Sequence, residues 1–150
     1  MAPASRAFIH RRRVEFADTD MAGIVHFAQF FRYMEEAEHA LWRNRGLSIA
    51  GTGYGFPRVA ATFDFQNPLH FEDEFEVAIR IAAVTRSTIR YECIITRGDT
   101  SVAKGSMTIV CVTKSPSEPR RSVEIPAAIL ATLQVARAPL HLRKSGRRNP

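Results

Sequence analysis

The hydrophobic periodicity of this chain changes between residues 47 and 58, and that change constrains the fold more than any other feature. Before it, from Val25 to Arg45, apolar residues recur every three or four positions, which predicts one amphipathic α-helix of about five turns. Gly46 follows at the position where glycine commonly ends a helix. After it, apolar and polar residues alternate, which is typical of strands with one buried face. The pattern predicts an α+β domain.

The short connections between the alternating segments indicate how the strands pair. A two-residue turn such as Gly98-Asp99 forces its flanking strands to run antiparallel. We therefore predict a five-stranded antiparallel sheet with the long central helix packed on one face. Residues 47–57 should be a connection, and Ile125-Pro126 should open a short C-terminal helix that ends near Val135. The five predicted strands are residues 8–16, 59–65, 75–83, 89–95 and 102–113.

The net charge of +6 comes from the two ends of the chain. All 15 acidic residues lie in residues 14–136 together with 12 of the 21 basic ones, so that part carries 12 − 15 = −3. We predict a flexible N-terminus (1–7), one domain (8–136) and a basic flexible tail (137–150). Because no aromatic residue is interleaved with the basic tail, we do not expect a nucleic-acid partner. The alternative is a nucleic-acid-binding module that uses the basic ends. Salt-dependent binding of nucleic acid that disappears when residues 137–150 are deleted would support it.

Other features of the composition narrow the class of protein. No apolar run approaches the length of a membrane helix, and the first 13 residues do not resemble a secretory signal, so we expect no membrane partner. Cys93 and Cys111 stand alone, without a CxxC motif or a histidine at ligand spacing. We expect both to be reduced core residues in a cytoplasmic protein that binds no metal and no cofactor.

The segment from Asp18 to Phe27 is the most informative part of the sequence for function. It places two carboxylates, Asp18 and Asp20, and a glycine, Gly23, between the first predicted strand and the long helix. The first N–H groups of a helix have no intrahelical partner and can stabilise negative charge. A carboxylate beside them combines a nucleophile or base with an oxyanion site. This pattern indicates acyl-transfer chemistry.

With the loop and helix placed, the sequence resembles the hotdog-fold acyl-CoA thioesterases, in particular the branch that includes 4-hydroxybenzoyl-CoA thioesterase. The resemblance covers roughly residues 8–135, and the D-x-D-x-x-G-x-V box before a long helix is its most specific part. The matching segments are Val14-Glu15-Phe16, Asp18-x-Asp20-x-x-Gly23-Ile24-Val25, Tyr33-Met34-Glu35, Pro57-Arg58-Val59, Phe71-Glu72-Asp73-Glu74 and Val84-Thr85-Arg86-Ser87-Thr88.

The resemblance implies roles for three residues of the box. Asp20 matches the family's catalytic acid, which either attacks the thioester carbonyl to give a mixed anhydride or acts as a base for water. The backbone N–H of Phe27, in the expected first turn of the helix, matches the oxyanion donor. Gly23 lets the loop turn tightly and keeps the path of the thioester free of a side chain.

The resemblance also implies substrate contacts, and the chain departs from the family at His26-Phe27 and at Gln29-Phe30, where relatives have Asn-Tyr. Glu35 matches a carboxylate at the acyl end of the site, and Arg86 and Thr88 match contacts to coenzyme A phosphates. Related enzymes have an aromatic residue followed by histidine where this chain has His26 and then Phe27. His26 is therefore placed beside the thioester, either as a polar wall of the pocket or as a participant in the reaction.

Each of these residues also has a purely structural interpretation. Asp18 and Asp20 are typical turn and N-cap residues, and we assign that role to Asp18. Glu35, with Glu36 and Glu38, could form a solvated helix face. Arg86 could be an ordinary turn residue.

The sequence as a whole predicts a thioesterase that hydrolyses an acyl-CoA to the free acid and coenzyme A. A single helix cannot cover the sheet edges, so we expect a homodimer, or a homotetramer built as a dimer of dimers, with the site at the interface. A non-catalytic regulatory protein that binds acyl-CoA on the same fold is the alternative. A hotdog dehydratase would require a histidine and aspartate pair at the helix start, which this box lacks. The acyl group, and the choice between coenzyme A and carrier-protein thioesters, stay open.

Overall fold

The computed structural model describes residues 6–137 and has the predicted α+β architecture. Five strands form one antiparallel sheet, in the order β1-β4-β5-β6-β3, and two short strands, β2 and β7, form a second sheet. Within the described residues, no helix has the length and apolar character needed to cross a membrane. The elements are β1 (Phe8–Arg13), α1 (Gln29–Asn44), β2 (Tyr54–Gly55), β3 (Arg58–Phe65), β4 (Glu74–Val84), β5 (Thr88–Arg97), β6 (Thr100–Val110), β7 (Val112–Thr113) and α2 (Ala127–Leu133).

The core lies between α1 and one face of the five-stranded sheet. Alternate residues of β4 and β5 point to this face and are buried, as the period of two predicts. The fully buried Trp42 of α1 donates its indole N–H to the hydroxyl of Tyr91 on β5, at 2.9 Å. This bond satisfies two polar groups that would otherwise be costly to bury. Cys93 and Cys111 are free and buried, as predicted.

Helix α1 begins at Gln29, so the prediction that it begins at Val25 was wrong. Val25 instead bridges to Thr19, and its N–H donates to the carbonyl of Leu69 at 2.8 Å. These tertiary hydrogen bonds use the backbone of Val25 and hold it in an extended conformation, so the helix begins only after it. The predicted end is confirmed, because Gly46 has a φ of 83° and follows the C-cap residue directly.

Three other predicted boundaries differ from the structure. Strand β1 ends at Arg13 rather than residue 16, because the chain turns into a short 3-10 helix over Phe16–Asp18. The last predicted strand is divided into β6 and β7. The predicted connection at 47–57 contains β2, which pairs with β7. Residues 1–5 and 138–150 of the predicted flexible ends lie outside the described residues.

Strand β3 is an open edge of the large sheet. Seven of its eight residues are exposed and Phe63 is half-buried, whereas β4 alternates between buried and less buried positions. Two large apolar side chains on β3 are open to solvent: Val59 is 61% exposed and Phe65 is 49% exposed. A long apolar edge of this kind invites pairing with another strand.

Candidate active site

The D-x-D-x-x-G box forms a tight hairpin that leads into α1. The N–H of His26 donates to the carbonyl of Asp18 at 2.9 Å, and the N–H of Asp20 donates to the carbonyl of Ile24 at 3.0 Å. At the tip, Gly23 has a φ of 78° and donates its N–H to the carbonyl of Asp20 at 3.0 Å. Residues with a Cβ rarely adopt this left-handed conformation. The hairpin therefore brings the carboxylates and the helix start into one short structure.

Asp18 is the buried anchor of this hairpin. Its Oδ2 accepts hydrogen bonds from the hydroxyl of Tyr33 at 2.8 Å and from the N–H of Glu15 at 3.0 Å. The guanidinium of Arg12 lies 3.6 Å from the same oxygen and stacks over the Tyr33 ring. Burial and the hydrogen bond to Asp18 raise the pKa of Tyr33 well above its ordinary value. Asp18 thus ties the loop to β1 and α1 and has little freedom for chemistry.

Asp20 has the opposite environment. It is exposed, and its Oδ1 accepts a hydrogen bond from the N–H of Ala22 at 2.8 Å. Its Oδ2 has no hydrogen-bond or ion-pair partner among residues 6–137. One oxygen orients the carboxylate while the other stays available, as a nucleophile or a base requires.

Phe27 lies two residues before α1 begins, so its predicted position in the first helical turn was wrong. Its N–H nevertheless donates to no acceptor within the described part of the chain. The neighbouring His26 accepts a hydrogen bond from the N–H of Ala28 on its Nδ1, at 3.1 Å, which leaves its ring proton on Nε2. The His26 and Phe27 rings stack with centroids 4.6 Å apart. Two donors, Phe27 N–H and His26 Nε2–H, thus stand at the base of the hairpin.

The structure does not bring the predicted substrate contacts together with Asp20 in one protomer. Glu35 lies six residues beyond Gln29, the first residue of α1, about 9 Å along the helix axis, and is exposed with its Oε2 3.4 Å from Arg58. The exposed Arg86 follows the end of β4, whereas the hairpin contacts the loop that precedes β4. Strand β4 has 11 residues, so these ends are roughly 35 Å apart. Thr88 is half-buried at the same far end, with its hydroxyl 2.6 Å from that of Thr85.

The sequence interpretation missed the environment of Glu38. Its side chain is completely buried, so the prediction that it could belong to a solvated helix face was wrong. Its Oε1 accepts a hydrogen bond from Arg58 at 2.5 Å, and its Oε2 has no hydrogen bond of good geometry. The burial of Glu38 could have been predicted from its spacing, because Glu38 follows Met34 by four residues and precedes Leu41 by three. It therefore lies on the apolar stripe of α1.

The burial of Glu38 predicts an unusual dependence of stability on pH. Desolvation raises the pKa of Glu38 to about 7, although Arg58 opposes the shift. Between about pH 4.3 and pH 7 the native state therefore holds a proton that the unfolded chain releases. The free energy of unfolding should fall as pH rises through this range, by an amount on the order of 1–3 kcal/mol that Glu38→Gln removes. Urea denaturation at pH 5 and pH 8 measures it. Equal pH dependence in Glu38→Gln and in the surface control Glu118→Gln would contradict this account.

One long helix packed on a five-stranded antiparallel sheet is the arrangement of hotdog-fold thioesterases. The sequence model of the thioesterase-like superfamily matches residues 14–133, which include the hairpin, α1, strands β2 to β7 and α2. The chain belongs to the thioesterase-like superfamily. The resemblance inferred from the sequence is therefore confirmed. Among the described residues, no cluster of His, Cys, Asp or Glu side chains could hold a metal ion.

Individual relatives agree with this family. A putative esterase from Aquifex aeolicus (strain VF5) is 34% identical over 130 residues, which cover 85% of this chain and 98% of that protein. A 1,4-dihydroxy-2-naphthoyl-CoA hydrolase from Synechococcus sp. (strain CC9311) is 28% identical over 130 residues, 79% of this chain and 84% of that one. The crystal structure of a 1,4-dihydroxy-2-naphthoyl-CoA thioesterase from Synechocystis matches with a TM-score of 0.77 at 25% identity, covering 85% and 96% of the two chains.

Proposed function

We propose that this protein hydrolyses an acyl-CoA thioester to the free acid and coenzyme A, with Asp20 as its catalytic carboxylate. One observation carries the proposal: a hairpin holds an exposed carboxylate with one free oxygen and leads directly to the unpaired N–H of Phe27. A nucleophile and an oxyanion donor on the same short, hydrogen-bonded segment are the minimum that acyl transfer requires.

The reaction follows from these groups in one of two ways. In the first, Oδ2 of Asp20 attacks the thioester carbonyl, the C–S bond breaks, and a mixed anhydride and the thiolate form. Water then cleaves the anhydride, which restores Asp20 and releases the acid. In the second, Asp20 takes a proton from a water molecule that attacks the carbonyl directly. In both, Phe27 N–H stabilises the negative carbonyl oxygen, the sulfur leaves as the thiolate, and His26 Nε2–H is available to donate a hydrogen bond to it.

A second copy of the chain completes this site. Asp20 and Phe27 are open to solvent in one protomer, and Phe27 is 63% exposed. A thioester needs apolar walls and exclusion of water. The exposed apolar strand β3 lies beside the start of α1, where the rings of Phe30 and Phe65 are 5.0 Å apart. Pairing of β3 with β3 of a second copy would continue the sheet and cover the site.

The dimer predicts the effect of a charge on β3. Ala61→Lys places a cation in the centre of the proposed contact, opposite Thr62 of the second copy, and we expect the dimer to dissociate at least 10-fold more readily, since burying an unpaired charge is costly. Sedimentation equilibrium measures the change. The matched control is Ile9→Lys, because Ile9 is a 42% exposed apolar residue on the opposite edge strand, β1. Dissociation by Ile9→Lys, with Ala61→Lys still dimeric, would show that the interface lies on the β1 edge and contradict the proposed β3 contact.

The aromatic surroundings of the site favour an aromatic acyl group. Four rings contact one another beside the hairpin, with centroid distances of 5.0 to 5.9 Å, and they belong to Phe30, Phe31, Phe63 and Phe65. Such rings bind a flat acyl group well. Relatives whose names specify 1,4-dihydroxy-2-naphthoyl-CoA agree with this class.

Thiol release from a panel of acyl-CoAs by the native protein tests the proposed function. Benzoyl, hydroxybenzoyl, and short and medium aliphatic thioesters span the relevant shapes, and we expect the aryl thioesters to react fastest. If no thioester is hydrolysed but acyl-CoA binds tightly, the alternative of a non-catalytic acyl-CoA-binding protein is correct. Acyl groups delivered on a carrier protein in place of coenzyme A distinguish the two forms of the substrate.

A further inference from the structure

We propose that Arg58 of one protomer, held by Glu38 and Glu35 of the same protomer, forms the distal end of the acyl site of the other protomer and selects acyl groups that carry an oxygen substituent there. This inference rests on the proposed thioesterase function and dimer. It assigns a specificity-determining role to Arg58 and a positioning role to Glu38.

The first argument is the way in which Arg58 is held. Its guanidinium nitrogen NH2 lies 2.5 Å from the buried Glu38, 3.4 Å from the exposed Glu35 and 3.5 Å from His39. Its NH1 donates to the carbonyl of Phe56 at 3.2 Å. A buried ion pair contributes little net stability, because desolvation of the charges offsets their attraction. What this arrangement does provide is a guanidinium fixed in position at the surface, where 30% of the side chain is exposed.

The second argument is an unsatisfied atom at the same place. Oε2 of Glu38 is buried without a hydrogen bond of good geometry, although the hydroxyl of Tyr91 interacts with this carboxyl group. A group of this kind in a native structure calls for an explanation, since an unpaired buried polar atom costs stability. Retention of a buried carboxylate beneath Arg58 is accounted for if the carboxylate serves to orient the guanidinium.

The third argument is geometric and concerns the two ends of β3. Phe65 lies at the hairpin end of the strand, against Phe30, whereas Arg58 begins the strand. In one protomer these residues are about 23 Å apart along the strand. A two-fold axis perpendicular to a continuous sheet makes the two β3 strands antiparallel. With all eight residues paired, Arg58 of one copy stands opposite Phe65 of the other, beside the other copy's hairpin.

The fourth argument is the chemistry that this end would offer to a substrate. Arg58 has five N–H donors, and its Nε–H has no acceptor among residues 6–137. Glu35 beside it adds a carboxylate that accepts hydrogen bonds. An acyl group whose far end carries a hydroxyl oxygen can receive a hydrogen bond from Arg58 and give one to Glu35, whereas a methyl group of similar size can do neither. The pair therefore discriminates by oxygen, not by size.

Selectivity tests the role of Arg58 in recognition. The ratio of kcat/KM for 4-hydroxybenzoyl-CoA to that for 4-methylbenzoyl-CoA should fall about 10-fold in Arg58→Met. Glu38→Gln should lower the ratio less, and Arg58→Lys should lie between Arg58→Met and the native protein. The control is Arg90→Met, since Arg90 is an exposed arginine of β5 that pairs with Glu92. An unchanged ratio in Arg58→Met and Arg58→Lys would overturn the proposal.

Mixed dimers test whether Arg58 acts across the interface. Asp20→Asn and Arg58→Met chains are co-expressed with different tags and assayed together with 4-hydroxybenzoyl-CoA. If Arg58 serves the other protomer's site, each mixed dimer contains one intact site, and random pairing restores about a quarter of the native activity. If Arg58 serves its own site, no intact site forms, and the residual activity is about a twentieth of native. The second result overturns the proposal.

These tests separate the proposal from the function on which it depends. If the native protein hydrolyses no thioester, the proposed function fails before Arg58 is tested. If the native protein and Arg90→Met are active and the mixed dimers recover nothing, only the inference about Arg58 fails. Should Arg58→Met not fold, Arg58→Lys replaces it in the mixed dimers, with a proportionally higher background from its own sites.

Discussion

Replacement of Asp20 by asparagine should lower kcat for thioester hydrolysis by at least about 10²-fold while leaving the fold intact. Asparagine has the same shape as aspartate and keeps an oxygen that can accept the hydrogen bond from Ala22 N–H, so the hairpin should retain its conformation. It lacks the negative oxygen that attacks the carbonyl or takes a proton from water. Steady-state kinetics with the best aryl-CoA, together with circular dichroism and thermal unfolding, measures both effects.

Two control variants make that result specific. Asp99→Asn removes an exposed carboxylate from the turn between β5 and β6, and its activity should match that of the native protein. Asp18→Asn should instead lower the stability, because it weakens the buried hydrogen bond from Tyr33 and the interaction with Arg12. If Asp20→Asn kept near-native kcat, Asp20 would be a turn residue and the proposed mechanism would be wrong.

Replacement of Gly105 by alanine should lower the free energy of unfolding by about 3 kcal/mol, at the upper end of the range for overpacked cores. A Cβ on Gly105 would lie 2.6 Å from the carbonyl oxygen of Thr62 and 2.7 Å from the ring of Phe63. The carbonyl belongs to the backbone of β3, so it can move only if the pairing of β3 with β6 is disturbed. Urea denaturation measures the loss.

A control and a second readout accompany that variant. Gly51→Ala should change stability by less than about 0.5 kcal/mol, since its Cβ would make only an ordinary contact with Ser48 at 3.5 Å. Because Phe63 packs on Phe31 at 5.2 Å, Gly105→Ala should also weaken aryl-CoA binding. If Gly105→Ala were as stable as Gly51→Ala, β3 would not pack as closely on β6 at Gly105 as the structure indicates, and the prediction would be wrong.

The sequence predicts those parts of the fold that depend on local pattern. Periodicity places α1 and the strands, because one helical stripe and several alternating segments allow few architectures. The predicted stop at Gly46 is correct because it depends on a single backbone conformation. The start of α1 was misplaced because the N–H of Val25 bonds to Leu69, which is distant in sequence. No local pattern reports such a contact.

The candidate site shows the same division. The D-x-D-x-x-G box marks the hairpin, and the resemblance assigns Asp20 its role, which stays a prediction. The pattern does not distinguish the buried Asp18 from the exposed Asp20, because both lie in a polar loop. They differ because Asp18 makes tertiary contacts with Arg12 and Tyr33. The burial of Glu38 was not predicted, because its charge suggested a solvated face although its spacing placed it on the apolar stripe of α1.

The measurement that tests the central claim most directly is the binding of an intact aryl-CoA to Asp20→Asn. Calorimetry measures the affinity, and thiol release is recorded in the same sample. If Asp20 performs the chemistry at this site, the variant should bind the thioester with an affinity close to the KM of the native protein and release almost no thiol. Thiol release at the native rate would show that the reacting group lies elsewhere. Failure of both the native protein and the variant to bind any acyl-CoA would contradict the proposed function itself.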